Sequence, residues 1–279
     1  MRIGVIGYGT VGASLVRFFK RRKHAVAIYD KYLDGYRSER NVEAVNDVDL
    51  VFIAVPTPYD PHLGAADLRA VYDAISLVKS APICIKSTVP PGTFNALERF
   101  IPGALAYSPE YVGESKNHPW REIDDCGFVL AAGHDEACAM VRDAYCNGED
   151  GLRFVRTDVA TAELVKYMEN CFLATKVAFV NQFWDIAQAS GVDYDELRKI
   201  FLLDSRVGES HTAVTPERGF GGRCLPKDLS SIISWARDVV PVPMLEAVRD
   251  YNNGLHERAS SDGSFRREAV DSAVPALRA

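Results

Sequence analysis

The stretch Gly7-Tyr8-Gly9-Thr10-Val11-Gly12 limits what this chain can fold into more than any other. The apolar run RIGVI (2–6) leads straight into it, and ASLVRFFKRR leaves it with helical spacing. A second apolar run, AVAIY, ends at Asp30. Glycines at this spacing between a strand and a helix, with an acid closing the next strand, form a dinucleotide-binding fingerprint. Gly7 permits the tight turn, Gly9 lets backbone approach a pyrophosphate, and Gly12 lets helix and strand pack closely. Tyr8, Thr10 and Val11 complete the expected cofactor loop. The first N–H groups of the helix offer the phosphates a partial positive charge. Asp30 can accept bonds from ribose hydroxyls and would repel a 2′-phosphate, so NAD is expected rather than NADP. Lys31, next to it, works against that preference. The alternative is a glycine turn with no ligand.

Further apolar runs follow: DLVFIAV (49–55), APICIKS (81–87), ALAYS (104–108), GFVLAA (127–132) and LRFV (152–155). Helical segments such as AADLRAVYDAISLVKS lie between several of them. This alternation predicts an α/β fold, a Rossmann-type doubly wound parallel sheet covered on both faces. Such sheets bind ligands beyond the carboxyl ends of their strands. Three of those ends carry rigid turns with polar groups: Val55-Pro56-Thr57-Pro58, Ser87-Thr88-Val89-Pro90-Pro91-Gly92 and Ser108-Pro109-Glu110. Pro56, Thr57 and Thr88 are therefore candidates for the nicotinamide end of the cofactor.

From Asp158 the pattern changes to DVATAELVKYMENCFLATKVAFVNQFWDIAQAS, without glycine or proline. It reads as one long central helix with at most one break, apolar over a wide arc, suited to packing on the first domain and on a partner chain. Lys166 and Asn170 share one helical face. They are either a solvated polar stripe or part of a site. Gly191 ends the helix, and VDYDELRKIFLLDS reads as a short helix after it. Beyond a polar loop comes GFGGRCLPKD (219–228). Cys224 there, after two glycines and before a proline, is either a structural thiol or a displayed nucleophile. The organisation expected is an NAD-binding domain over 1–156, an all-helical catalytic and dimerisation domain over 157–255, and a frayed or disordered tail over 256–279.

Bulk properties narrow the partners. The 279 residues carry 32 basic and 38 acidic side chains, a net charge of −6, which argues against nucleic-acid binding. The six cysteines form no C-x-x-C pair, so no metal is expected. No apolar run approaches a membrane span. The N-terminus runs straight into a strand, so a leader is not expected, and a cytoplasmic protein with reduced thiols is.

The ordered set GYGTVG, AVPTP, KSTVPPGT, SPEYVGES, ELVKYMEN, DSRVG and GFGGRCLPKD resembles the UDP-glucose/GDP-mannose dehydrogenase family. The resemblance runs from residue 1 to about Asn253. It implies NAD-dependent oxidation of a nucleotide-sugar C6 alcohol, UDP-glucose or similar, to the carboxylate. Cys224 would be the nucleophile, with Lys166 and Lys227 as candidate cations beside it. Lys166 and Asn170 would hold oxyanions, Asp228 would act with a water in proton transfer, and Glu110 would be the base for thioester hydrolysis. Thr88 would orient a water or the cofactor, and Glu114 and Lys227 would lie near the cofactor. Arg206, Phe220, Gly221 and Gly222 would meet the substrate, with Glu110, Lys166 and Asn170. Homodimerisation through the central helix is implied as well. Family members usually continue into a second α/β domain that closes over the nucleotide, and the stretch after Asn253 does not resemble one. A smaller hydroxy compound as substrate, or a non-catalytic NAD-binding role, are therefore the alternatives.

Overall fold

The computed structural model describes residues 1–101, 103–113, 120–146 and 152–261, with backbone only for 259–261. The first part alternates strands and helices: β1 (Arg2–Ile6), α1 (Thr10–Arg21), β2 (Ala25–Tyr29), α2 (Glu39–Asn46), β3 (Leu50–Ile53), β4 (Tyr59–Asp60), β5 (Ala65–Ala66) and α3 (Arg69–Leu77). Then come β6 (Ile83–Ile85), α4 (Thr93–Glu98), β7 (Leu105–Tyr107), β8 (Phe128–Gly133), α5 (Asp135–Tyr145) and β9 (Arg153–Arg156). Four helices follow: α6 (Val159–Ala189), α7 (Tyr194–Phe201), α8 (Leu225–Ala236) and α9 (Pro243–Ser261).

Seven strands form one sheet in the order β2-β1-β3-β6-β7-β8-β9. Every neighbouring pair is parallel except β7 and β8, which run antiparallel. The sheet is thus mostly parallel, not wholly parallel as the alternation suggests. A parallel step needs a long crossover, usually a helix. Among the described residues, the only helical element between β7 and β8 is a 3-10 turn, Ile123–Cys126. The β4–β5 hairpin escapes sequence reading because each strand has only two residues.

Period-two alternation explains the two-sided core. Ile3, Val5, Leu50 and Phe52 pack with Leu15, Phe18 and Phe19 of α1 and Val141 and Tyr145 of α5. The alternate positions Val51, Ile53, Ile83 and Ile85 pack with Val71 and Ile75 of α3 and Phe94 and Leu97 of α4. Strands apolar on both faces need this double cover.

The chain divides into two compact units, Met1–Met168 and Glu169–Ala279, so the division falls inside α6. That helix runs unbroken for 31 residues. Gly191, at φ +70°, lies just beyond it, the left-handed position glycine tolerates best after a helix. In the second unit Val180, Ala187 and Tyr194 form a small core with Trp184 and Val214. α9 continues to Ser261, past the point where the sequence suggests a tail begins. Among the described residues, no helix is long and apolar enough to cross a membrane, and no group of His, Cys, Asp and Glu could hold a metal ion.

Candidate active site

The glycine loop has the geometry a pyrophosphate requires. Gly7 sits at φ +93°, and a Cβ there would lie 2.5 Å from the Ala54 carbonyl oxygen. A Cβ on Gly12 would lie 1.8 Å from the Gly7 oxygen, so α1 rests directly on the turn. Gly9 differs: a Cβ there would meet nothing within 4 Å. It borders open space, where the fingerprint expects backbone to approach a phosphate. Gly9 is also the N-cap of α1, where no side chain caps the helix and no acid occupies the first turn. The helix end therefore leaves its donors and its partial positive charge to an anion. These residues fit NAD.

Asp30 has a second job that the sequence conceals. Its Oδ2 accepts the Tyr8 N–H at 2.7 Å, and its Oδ1 accepts Tyr32 and Leu33 N–H at 2.8 and 3.1 Å. It ties the glycine loop to the end of β2 while Oδ2 keeps a lone pair for a ribose hydroxyl. Lys31 is drawn to Asp73 at 3.0 Å, and that carboxylate raises its pKa.

The turns after β3 and β6 are laced together. Ser87 Oγ accepts Val55 N–H at 3.1 Å and donates to Val55 O at 2.7 Å, and Thr57 Oγ1 donates to Thr88 O at 2.7 Å. Thr57 is thereby buried, Thr88 half-buried and Pro56 exposed.

Glu163, not singled out by sequence, holds the far end of the same turn. Its carboxylate accepts Gly92 N–H at 2.7 Å and Phe94 N–H at 2.8 Å, at the start of α4. Burial pushes its carboxyl up from the ordinary value, against the pull of those two donors. A raised carboxyl pKa means that this group's contribution is fully present below about pH 4.5 and is lost as pH rises through the raised value. Glu163→Gln is therefore expected to flatten this part of the stability–pH profile. Glu163→Ala, which strands both N–H groups, is expected to cost about 3 kcal/mol. Urea unfolding at pH 4 and pH 7 measures both.

Glu110 lies in a buried cluster. Its Oε1 accepts Tyr111 and Val112 N–H at 2.8 and 3.1 Å, and its Oε2 pairs with Lys86 at 3.2 Å. Lys86 was not anticipated either. Three donors make this carboxylate a firm anchor for its turn. Lys166 is likewise buried, its ammonium over the Tyr111 ring. Glu114 lies outside the described residues.

In the second unit, Asn170 Nδ2 donates to Asp228 Oδ2 at 2.5 Å, and Asp228 Oδ1 pairs with Lys227 at 2.6 Å. Asp228 is 1% exposed and Asn170 5%. With Lys166 buried one turn earlier on α6, the solvated-stripe reading of that face fails. Cys171 is buried, and burial first, then the Asp228 charge, pushes its thiol up to about 12.

Cys224 contrasts with it. It is exposed and forms the N-cap of α8, with Pro226 in the first turn. Its loop is anchored on the preceding side. Arg218 donates to Asn181 Oδ1 at 2.8 Å and to Asp185 at 2.6 Å, and stacks on Trp184 at 4.0 Å. Gly219 N–H donates to Asn181 Oδ1 at 3.1 Å. Asn252 accepts Phe220 N–H at 2.7 Å and donates to Phe220 O at 3.0 Å. The Phe220 side chain is buried, and Gly221 and Gly222 after it are exposed. Asn181 and Asn252 were missed because single asparagines in amphipathic helices carry no pattern. Arg206 is exposed and held in a fork by Asp204 at 2.6–3.1 Å, and Lys176 holds the following turn through Gly208 O at 3.0 Å.

Comparison with known proteins agrees with this geometry. The NAD binding domain of the UDP-glucose/GDP-mannose dehydrogenase family matches residues 34–118, and the central domain of the same family matches 160–254. The UDP-glucose 6-dehydrogenase of Rickettsia typhi is 35% identical over 243 residues, covering 78% of this chain and 54% of that protein. The chain thus spans about half the length of the curated relatives it matches. A UDP-glucose dehydrogenase structure from Pyrobaculum islandicum superposes with a TM-score of 0.76 at 28% identity, covering 92% of this chain and 68% of the other. A UDP-D-ManNAc dehydrogenase from Pyrococcus horikoshii gives 0.77 at 26%, covering 94% and 70%. With its glycine loop, its buried Asn170–Asp228 pair and these matches over more than half its length, the chain belongs to the UDP-glucose/GDP-mannose dehydrogenase family, with NAD as cofactor.

Proposed function

We propose that this chain oxidises the C6 alcohol of a nucleotide sugar to the carboxylate with two NAD, UDP-glucose or a close analogue being the substrate. The observation that carries the reading is Cys224: the one exposed cysteine among six, at the N-terminal end of α8 on an anchored glycine loop. The positive end of a helix favours negative charge on its sulfur. NAD, when bound, supplies the hydride acceptor.

The chain's own residues supply the rest. Asp228, working through a water, takes the C6 hydroxyl proton, and Lys166 stabilises the alkoxide from which the first hydride leaves. Cys224 Sγ then bonds to the aldehyde carbon, and Lys166 and Asn170 hold the oxyanion of the thiohemiacetal. Loss of a second hydride leaves a thioester on Cys224. Water gives one proton to Glu110 as it attacks the carbonyl, the C–S bond breaks, and the carboxylate departs with the thiolate restored and the second proton passed to solvent. Asp228 keeps Asn170 and Lys227 oriented. Thr88, on the laced turn, orients the water or the cofactor, while Glu110, anchored in the turn that carries Tyr111, serves as the base for thioester hydrolysis. Gly221, Gly222 and Arg206 contact the sugar nucleotide. Turnover with a panel of UDP-, GDP- and dTDP-hexoses, read as NADH, tests the reading.

A homodimer is part of the proposal. α6 exposes Phe172, Phe179, Phe183 and Ile186, and α7 with its following turn exposes Ile200, Phe201 and Leu203. Exposed large apolar side chains grouped on neighbouring helices mark association surfaces. Sedimentation of the native chain at twice the monomer mass supports it, and a monomer at micromolar concentration counts against it. Six unbridged thiols suit a reducing compartment, and we place the protein in the cytoplasm on that basis.

A further inference from the structure

We infer that Asp73 on α3 is a positioning residue for cofactor choice: it engages the Lys31 ammonium, denies it to a 2′-phosphate, and so preserves the preference for NAD over NADP. The inference rests on NAD as the cofactor and is independent of which alcohol is oxidised. Lys31 directly follows the ribose acid Asp30, where a chain that binds NADP sets a cation for the 2′-phosphate. Here Lys31 Nζ donates to Asp73 Oδ2 at 3.0 Å, with the Tyr32 ring 6.0 Å away. The bond to Asp73 raises the lysine's pKa, so its charge is kept and matched by an acid. Left without that acid, the same ammonium would offset the repulsion that Asp30 exerts on a 2′-phosphate.

The backbone around Lys31 is fixed, so a change of partner falls to its side chain. Asp30 Oδ1 accepts Tyr32 and Leu33 N–H at 2.8 and 3.1 Å. Asp30 N–H donates to Tyr36 O, and Tyr36 N–H to Leu33 O, both at 3.1 Å. The other cation of this turn is matched as well: Arg37 pairs with Asp34 at 2.8 Å. On α3, Arg69 lies four residues before Asp73 and shares its face. Arg69 is drawn instead into a fork with Asp67 at 2.6–3.0 Å, which leaves the Asp73 charge directed at Lys31. Asp30, Asp34 and Asp73 thus outweigh Lys31 and Arg37 by one negative charge, and removing Asp73 balances the set. Lys31 and Asp73 are 59% and 60% exposed, so salt screens the pair and the effect is modest.

The experiment is calorimetric titration of the full chain with NAD, and with NADP in competition against it, at low ionic strength and without substrate. Asp73→Asn is expected to tighten NADP binding about fivefold and to leave NAD binding within about twofold. Asp73→Glu keeps the charge and is expected to restore the native NADP affinity. Lys31→Ala alone is expected to shift NADP affinity less than about twofold, because the charge it removes is already matched. Adding Asp73→Asn to Lys31→Ala should then bring no gain, since the acid acts through the lysine. An unchanged NADP affinity in Asp73→Asn, an equal gain for NAD, or the same gain in the Lys31→Ala background would overturn the inference. Because binding is read without turnover, absence of dehydrogenase activity would count against the proposed function and leave this result standing.

Discussion

Cys224→Ala is expected to abolish acid formation, with NADH production from the preferred nucleotide sugar falling by about a thousandfold or more. NAD affinity should stay within about twofold, because the glycine loop and Asp30 do not include Cys224. The effect is large because no neighbouring thiol can substitute. Cys84 and Cys171 are buried, and burial holds both thiols up at about 12. Cys126 and Cys138 are buried too, and Cys146 is half-buried. Cys224→Ser is informative beside it. An alkoxide-forming serine can add to an aldehyde, but it is a poor leaving group, so slow release of an ester-linked product is expected. Iodoacetamide should label Cys224 first among the six, which peptide mapping reads directly. Labelling that spares Cys224 and modifies Cys146 would contradict the assignment.

Two glycines of one loop are expected to fail in opposite ways. Gly12→Ala places a methyl 1.8 Å from the Gly7 oxygen, a backbone atom that the β1–α1 junction fixes. The helix must move off the strand, at an expected cost of about 3 kcal/mol or more in stability. Gly9→Ala meets nothing within 4 Å, and Gly9 has an ordinary negative φ of −76°. Its melting temperature is expected to stay within about 2 °C, yet the methyl occupies the pyrophosphate's approach, so NAD affinity should drop at least about tenfold. Thermal unfolding and calorimetric NAD titration of the two variants separate the roles. If Gly9→Ala binds NAD normally, the open space at that glycine is not where the phosphates lie.

How much of this is legible in the sequence depends on the kind of signal. The glycine loop, the strands of the main sheet and the length of α6 follow from periodicity and from glycine spacing, which act locally. The antiparallel β8 is not legible, because strand direction depends on whether a connection crosses over, and apolar runs look alike either way. Asp30 is read as a ribose acceptor, but its bond to Tyr8 N–H depends on a turn that only the folded backbone defines. Glu110 is legible as an acid at a strand end, and its role as a base comes only from the family resemblance. Its buried partner Lys86 is invisible in spacing. Glu163, Asn181 and Asn252 were missed for the same reason: each satisfies backbone groups far away in sequence, and nothing in their neighbours announces it.

The central claim is a four-electron oxidation through Cys224. Counting NADH against sugar consumed tests it most directly, with the chain saturated in NAD and supplied with limiting UDP-glucose, then with other nucleotide hexoses. The account predicts two NADH for each sugar and a uronic acid as product. One NADH for each sugar with an aldehyde as product, or no NADH from any nucleotide hexose in protein that binds NAD, would contradict it.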